Sequence, residues 1–177
     1  MILAAAEEIF RRNGFDATTM EEIAAGAGLT RKTVYNQYAS KEEIALALIA
    51  LAEADDQPYR ARIAAGEDAI GLVCTILRDS ALWCHANPSL AAMALSPARR
   101  PGLQPPADRP SFQGLLCDVI ALGQEQGRFR RDERAEFLAL VLLAIFGQAM
   151  LNALADEALS TDWIADIVRL VTEGIGA

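Results

Sequence analysis

The sequence predicts an all-α chain of about nine helices, and three observations carry that prediction. Just over half of the 177 residues are apolar, at 53%, enough to fill a buried core. Ala and Leu dominate that apolar half, where β-branched residues would have pointed to strands. No strict apolar–polar alternation persists; apolar residues recur at helical spacing instead. The length suits one compact unit with a small module attached. We place the boundary after residue 46: a three-helix module with a helix-turn-helix at 1–46, and a larger helical domain at 47–177.

The first helix spans about residues 2–13. Ile2, Ala5, Ala6, Ile9 and Phe10 fall on one face, and Gly14 stops it. Residues 18–41 then read as two short helices broken by a tight turn. Thr18 or Thr19, followed three residues later by Glu21 or Glu22, is a capping box that starts the first of them. Ile23 and Ala24 face inward, and the small Ala24 lets another helix approach. Gly28 supplies the backbone freedom of a sharp turn. Thr30 caps the next helix, expected over about 30–38, with Val34 and Tyr38 inward. Ser40 and Glu43 repeat the capping spacing and open a fourth helix.

The outward side of the 30–38 helix carries Arg31, Lys32, Thr33, Tyr35, Asn36 and Gln37, and no acid lies between Leu29 and Ser40. Such a surface can approach a polyanion and still offer hydrogen-bond geometry to base edges. Lys41 adds a charge near the same surface.

At these residues the chain resembles the TetR family of bacterial regulators. The elements that match are Phe10 to Gly14-Phe15, Thr18-Thr19, Ile23-Ala24, Ala27-Gly28-Leu29, Thr33-Val34-Tyr35 and Ser40-Lys41-Glu42. The match covers roughly the first quarter of the chain and agrees only in general plan beyond it. The resemblance implies a ligand-responsive regulator, a repressor released from a palindromic double-stranded DNA operator by a small effector. By motif position, Arg31, Lys32, Thr33 and Gln37 are expected at bases or nearby phosphates. Thr19, Thr30, Tyr35, Asn36 and Lys41 are expected on the DNA backbone. Family members commonly have several residues before the first helix, whereas this chain begins almost inside it. Either its start is truncated or an N-terminal arm is missing.

The fourth helix runs to about residue 54 with Ile44, Leu48 and Leu51 on one face, and in the family it moves as a lever. Asp55-Asp56-Gln57-Pro58 breaks it, and Gly66 interrupts the chain again. A fifth helix follows over about 67–85, with Ile70, Val73, Cys74, Leu77, Ala81 and Cys84 inward, and stops at Asn87-Pro88. A short sixth spans 89–95. Residues 96–110 hold five of the seven prolines, which excludes regular helix or strand. This stretch is a plain connection or the flank of a ligand entrance.

The seventh helix is expected over 112–126, the eighth over 132–155 and the ninth over 161–173, with Gly174 just past its end. The eighth is apolar nearly all round, so it needs cover on every side. Trp163, Ile164, Ile167, Val168 and Val171 give the ninth its own stripe. We therefore expect a homodimer in which the eighth and ninth helices of each chain form a four-helix bundle, as the resemblance also implies. Trp83, Met93, Phe112, Phe146 and Met150 sit on the helices that enclose the family's effector cavity. Aromatic and Met side chains there favour a mainly apolar effector.

The net charge is −8, divided as −2 over residues 1–46 and −6 over 47–177. Overall acidity weakens non-specific DNA binding and leaves attraction to the basic segment local. No charged leader precedes a long apolar run, and residues 137–151 are too few to span a bilayer. Three widely spaced cysteines, Cys74, Cys84 and Cys117, fit a reduced cytoplasmic protein with no membrane partner. Cys84-His85 beside Trp83 lacks the paired spacing of a metal site, so no metal and no cofactor are expected. With one histidine and no nucleophile motif, no catalytic residue is named and no enzyme is expected. Two rival readings stand beside the regulator: a thiol-responsive one using Cys84 or Cys117, and a helical binding protein or enzyme with a vestigial DNA-binding module.

Overall fold

The structure, a computed structural model, describes residues 1–96, 99, 101–155 and 161–173. Among these residues there are ten helices and no strand. Their contacts divide the chain into two compact units, Met1–Ala52 with Ala86–Arg99, and Glu53–His85 with Arg100–Ala177.

In the first unit α1 is Ile2–Asn13, α2 is Met20–Gly26, α3 is Arg31–Tyr35, and α4 is Lys41–Ala54, whose last two residues already count with the second unit. α1 buries Ile2, Ala6, Ile9 and Phe10 and keeps its charged residues out. It stops at Gly14, whose φ of 79° is open to glycine and strained for other residues. α1 packs on α2 at close range: a Cβ placed on Gly26 would stand 3.0 Å from Ile9 Cδ1. α2 packs on α3: Val34 is the buried residue of α3, and Met20, Ile23 and Ala24 are those of α2.

α4 buries Ile44, Ala45, Leu48 and Ile49, whereas Leu51 is 55% exposed. The expected stripe therefore ends one turn early, where the chain leaves this unit. The chain returns to it as α7, Pro88–Ala94, which starts with proline at its first position and packs on α1. Ser89 Oγ accepts a hydrogen bond from the Phe15 amide at 3.3 Å.

The second unit begins with α5, Gln57–Ala64, a short helix that the sequence reading passed over between the break at Asp55 and Gly66. Proline near its start allows it, and Arg60 fastens it: Nε donates to Asp56 at 2.6 Å and Nη1 to Asp118, far along the chain, at 2.7 Å. α6 is Ala69–Ala86, α8 is Phe112–Glu125, α9 is Ala135–Ala155 and α10 is Trp163–Glu173. α8 and α10 both pack against α9. Residues 101–111 contain no helix or strand. Pro97, Ala98 and Arg100 of the proline-rich stretch, and Gly174 after α10, lie outside the described residues.

Two details fix the packing of this unit. Gly123 of α8 has no room for a side chain, because a Cβ there would collide with the Phe129 ring. Gln126 spans the start of α6, accepting from the Ala69 amide at 3.0 Å and donating to the carbonyls of Gly66 and Glu67.

α9 is the unusual element. It is 21 residues long with a mean hydropathy of 2.2 over its most apolar stretch, so by length and composition alone it could cross a membrane, unlike the shorter run 137–151. Only 28% of that stretch is buried. Leu138, Ala139, Leu142, Phe146 and Met150 form the buried stripe. Phe137, Val141, Ala144, Gln148, Leu151 and Ala155, spaced alternately by four and three residues, form a second stripe that is half-buried or exposed, with Phe137 at 44%.

Candidate nucleic-acid interface

The geometry of α2 and α3 starts at two threonines. Thr19 resolves the capping box: its hydroxyl accepts from the Glu22 amide at 3.2 Å, and Glu22 Oε2 accepts from the Thr19 amide at 2.8 Å. Those hydrogen bonds, first from the backbone amide and then from the hydroxyl, hold the Glu22 carboxyl below its ordinary pKa. Thr18 is buried and donates to the Gly14 carbonyl at 2.7 Å, closing the turn after α1. Gly28, at φ 65°, makes the turn from α2. Thr30 then caps α3 by accepting from the Thr33 amide at 3.2 Å, and the two hydroxyls lie 2.8 Å apart.

α3 is shorter than the expected 30–38. Its α-helical part is Arg31–Tyr35, and residues 36–37 continue as a turn, with Gln37 and Tyr38 amides both donating to the Val34 carbonyl. Within that frame Thr19, Thr30, Arg31, Lys32, Tyr35, Asn36 and Gln37 are exposed and Thr33 is half-buried. Eight of the nine expected DNA contacts therefore stand on or beside one capped helical pair.

Lys41 differs. Its ammonium donates to three backbone carbonyls, of Phe15 at 2.8 Å, Asp16 at 2.9 Å and Thr18 at 3.0 Å. It also lies 4.6 Å from the centre of the Phe15 ring. Lys41 thus ties the start of α4 to the turn between α1 and α2.

One residue at this surface was expected from the sequence only as a capping candidate. Glu21 of α2 forms an ion pair with Arg31, Oε1 to Nε at 2.7 Å, and the Tyr35 ring centre lies 5.4 Å from the guanidinium Cζ. A hydrogen bond to Tyr35 and then the charge of Glu21 raise the Arg31 pKa further. The 29–40 stretch has no acid of its own, but the helical pair brings one to it from the preceding helix.

The five residues expected around an effector do not fall in one compact unit. Met93 is on α7 of the first unit; Trp83, Phe112, Phe146 and Met150 belong to the second. Phe146 and Met150 are buried. The Phe146 ring centre lies 6.3 Å from that of Phe112 and 5.7 Å from that of Trp163 of α10. Two shallow clefts occur elsewhere: one of about 340 Å³ beside Ile9, Arg12 and Glu22, and one of about 360 Å³ beside Arg60, Asp118 and Leu122. Neither is lined by any of the five.

Cys84 and Cys117 are buried, and burial pushes both thiols up to about 11. Cys74, half-buried, is also raised, chiefly by burial. None is a ready thiolate at neutral pH. Among the described residues no group of three or more His, Cys, Asp or Glu side chains could hold a metal ion.

Residues 2–48 match the family described as bacterial regulatory proteins, tetR family. No curated protein sequence matches the chain. Among solved structures, the FadR transcriptional repressor of Thermus thermophilus, in complex with lauroyl-CoA, superposes with a TM-score of 0.76 at 23% identity, covering 99% of this chain and 94% of its own. Bacillus subtilis FadR, in complex with stearoyl-CoA, gives 0.75 at 15% identity, covering 99% and 98%. The MbdR regulator from Azoarcus sp. CIB gives 0.62 at 22% identity, covering 99% and 97%. At these identities the likeness is one of fold.

Proposed function

We propose that the chain, whose residues 2–48 match the tetR family of bacterial regulatory proteins, is a DNA-binding transcriptional regulator that a small ligand controls. The observation that carries this reading is α3 with the turn after it: capped at Thr30, anchored by buried Val34, and presenting Arg31 and Lys32 from the helix and Asn36 and Gln37 from the turn to solvent. Residues 1–46 read DNA, and 47–177 bind the effector and dimerise. Arg31 and Lys32, with Thr33 and Gln37, contact bases or nearby phosphates. Thr19, Thr30, Tyr35 and Asn36 hold the backbone. Lys41 lends its charge there while it organises the turn before α2.

The partner that covers the second stripe of α9 is another copy of the chain. Residues 132–155 and 161–173 of each protomer make a four-helix bundle, which sets two α3 helices on a dyad. Such a pair reads a palindrome from successive major-groove faces. The effector is small and mainly apolar. Its contacts include the aromatic group on α8 and α9, and acyl chains of the kind carried by two of the structural neighbours are the first to try. Binding shifts the dimer toward a conformation in which α4, continuous from one unit into the other, no longer holds the two α3 helices at operator spacing. Release on binding makes the protein a repressor. The buried, protonated state of Cys84 and Cys117 favours this reading over a thiol-responsive one.

Selection of random duplexes on the purified chain at near-physiological salt tests the proposal. An enriched palindrome, lost when Arg31→Ala and Lys32→Ala are combined in a still folded dimer, supports it. Enrichment that survives the double substitution refutes the placement of the site.

A further inference from the structure

Two neighbouring acids at the start of α2 have different tasks. Glu22 is consumed by the capping box. Glu21 turns to the other helix and meets Arg31 at 2.7 Å through Nε. Tyr35, one turn further along α3, lies against the same guanidinium. All three side chains are exposed on the surface assigned to DNA.

A free surface arginine samples many rotamers, and that freedom is lost when it docks. Here the guanidinium is held at one edge by a carboxylate and on one flank by a ring before any ligand arrives. The ion pair takes Nε, so a guanine's O6 and N7 are left to the Nη groups of a side chain that stays exposed. The Glu21 carboxylate has a second effect at the same place. It repels phosphate, so arginine contacts to the backbone of arbitrary DNA are weakened. Both effects widen the gap between specific and non-specific binding.

We propose that Glu21 is a specificity-determining positioning residue that presents Arg31 to a guanine in the major groove. This rests on the reading of α3 as the DNA-reading helix. Glu21 does not itself recognise a base; it acts through Arg31.

The test uses the full chain, the duplex recovered by selection, versions of that duplex changed one base pair at a time, and a random duplex. Arg31→Ala first identifies the base pair whose preference depends on Arg31. Glu21→Ala should then lower the preference for guanine at that same base pair by about tenfold while binding the random duplex more tightly. Glu21→Gln, which keeps an acceptor without the charge and is nearly isosteric, should fall between the two. In the double variant Glu21→Ala should have no further effect on that preference. If Glu21→Ala strengthens every duplex by one factor, leaving guanine preference intact, Glu21 is only a repelling charge and the proposal is wrong. Unchanged binding to all duplexes also overturns it. Should Arg31→Ala keep every base preference, the assignment of Arg31 as the reader fails first, and that outcome is distinct from a failure of Glu21 alone.

Discussion

α1 and α9 are both apolar enough to need a core, but only α1 finds all of it within its own unit. α1 alternates a buried face of Ile2, Ala6, Ile9 and Phe10 with charged residues, and no large apolar residue within it is exposed. α9 buries a stripe of five residues and leaves a second stripe, from Phe137 to Ala155, without full cover. The difference shows two ways of using hydrophobic surface. In the first unit it fixes a frame that holds polar residues in place, and in the second it leaves an uncovered stripe, which we propose a second copy of the chain covers.

The largest expected effect comes from charging the second stripe. Ala144→Arg puts a guanidinium at its middle, and an uncompensated charge in an interface core costs about 3–5 kcal/mol. We expect the dimer to dissociate at micromolar concentration and operator binding to fall with it, while helix content by circular dichroism stays near wild type. A variant that still dimerises would move the interface away from α9.

Inside the second unit, Gly123→Ala forces a methyl group against Phe129, and overpacking of this kind costs about 1–3 kcal/mol. Chemical denaturation should show the loss. A variant as stable as wild type would mean that the 123–129 turn adjusts freely.

Lys41→Met keeps the apolar stem but removes the donor to three carbonyls. Water can reach part of the site, so we expect a loss of about 1–2 kcal/mol, seen as faster amide exchange in residues 14–19. Unchanged exchange would leave Lys41 as a surface charge with no organising role.

The smallest effect belongs to the cap. Thr19→Ala should cost about 1 kcal/mol at neutral pH. The carboxyl of Glu22 is held below its ordinary pKa of 4.5, so its contribution is present above that value and is lost as pH falls through its lower folded value. The penalty of Thr19→Ala should therefore shrink in acid. A penalty independent of pH would separate Glu22 from the box.

Much of this was legible in the residues. The Thr19–Glu22 box, the turn at Gly28, the Thr30 cap and buried Val34 are local features with short sequence signatures, and each stands where the spacing puts it. α5 was missed because Asp55-Asp56-Gln57-Pro58 reads as a breaker, although proline near a helix start is compatible with the helix that follows. The Glu21–Arg31 pair was missed for a different reason. It joins residues ten positions apart across a turn, and a charge count along the chain does not see across turns. Leu51 carries the right spacing for a buried face but lies where α4 leaves its unit, a fact that depends on tertiary contacts alone. The effector site is the least legible part. Met93 and Phe146 were grouped through helices of a related plan, and their own sequence positions carry no spacing signal that joins them.

Sedimentation equilibrium of the chain at micromolar concentration, alone and with its selected duplex, tests the central claim most directly. The account predicts a free species of twice the 19.0 kDa chain mass, and two protomers on each palindromic duplex. A 19.0 kDa monomer that binds one half-site by itself would contradict it.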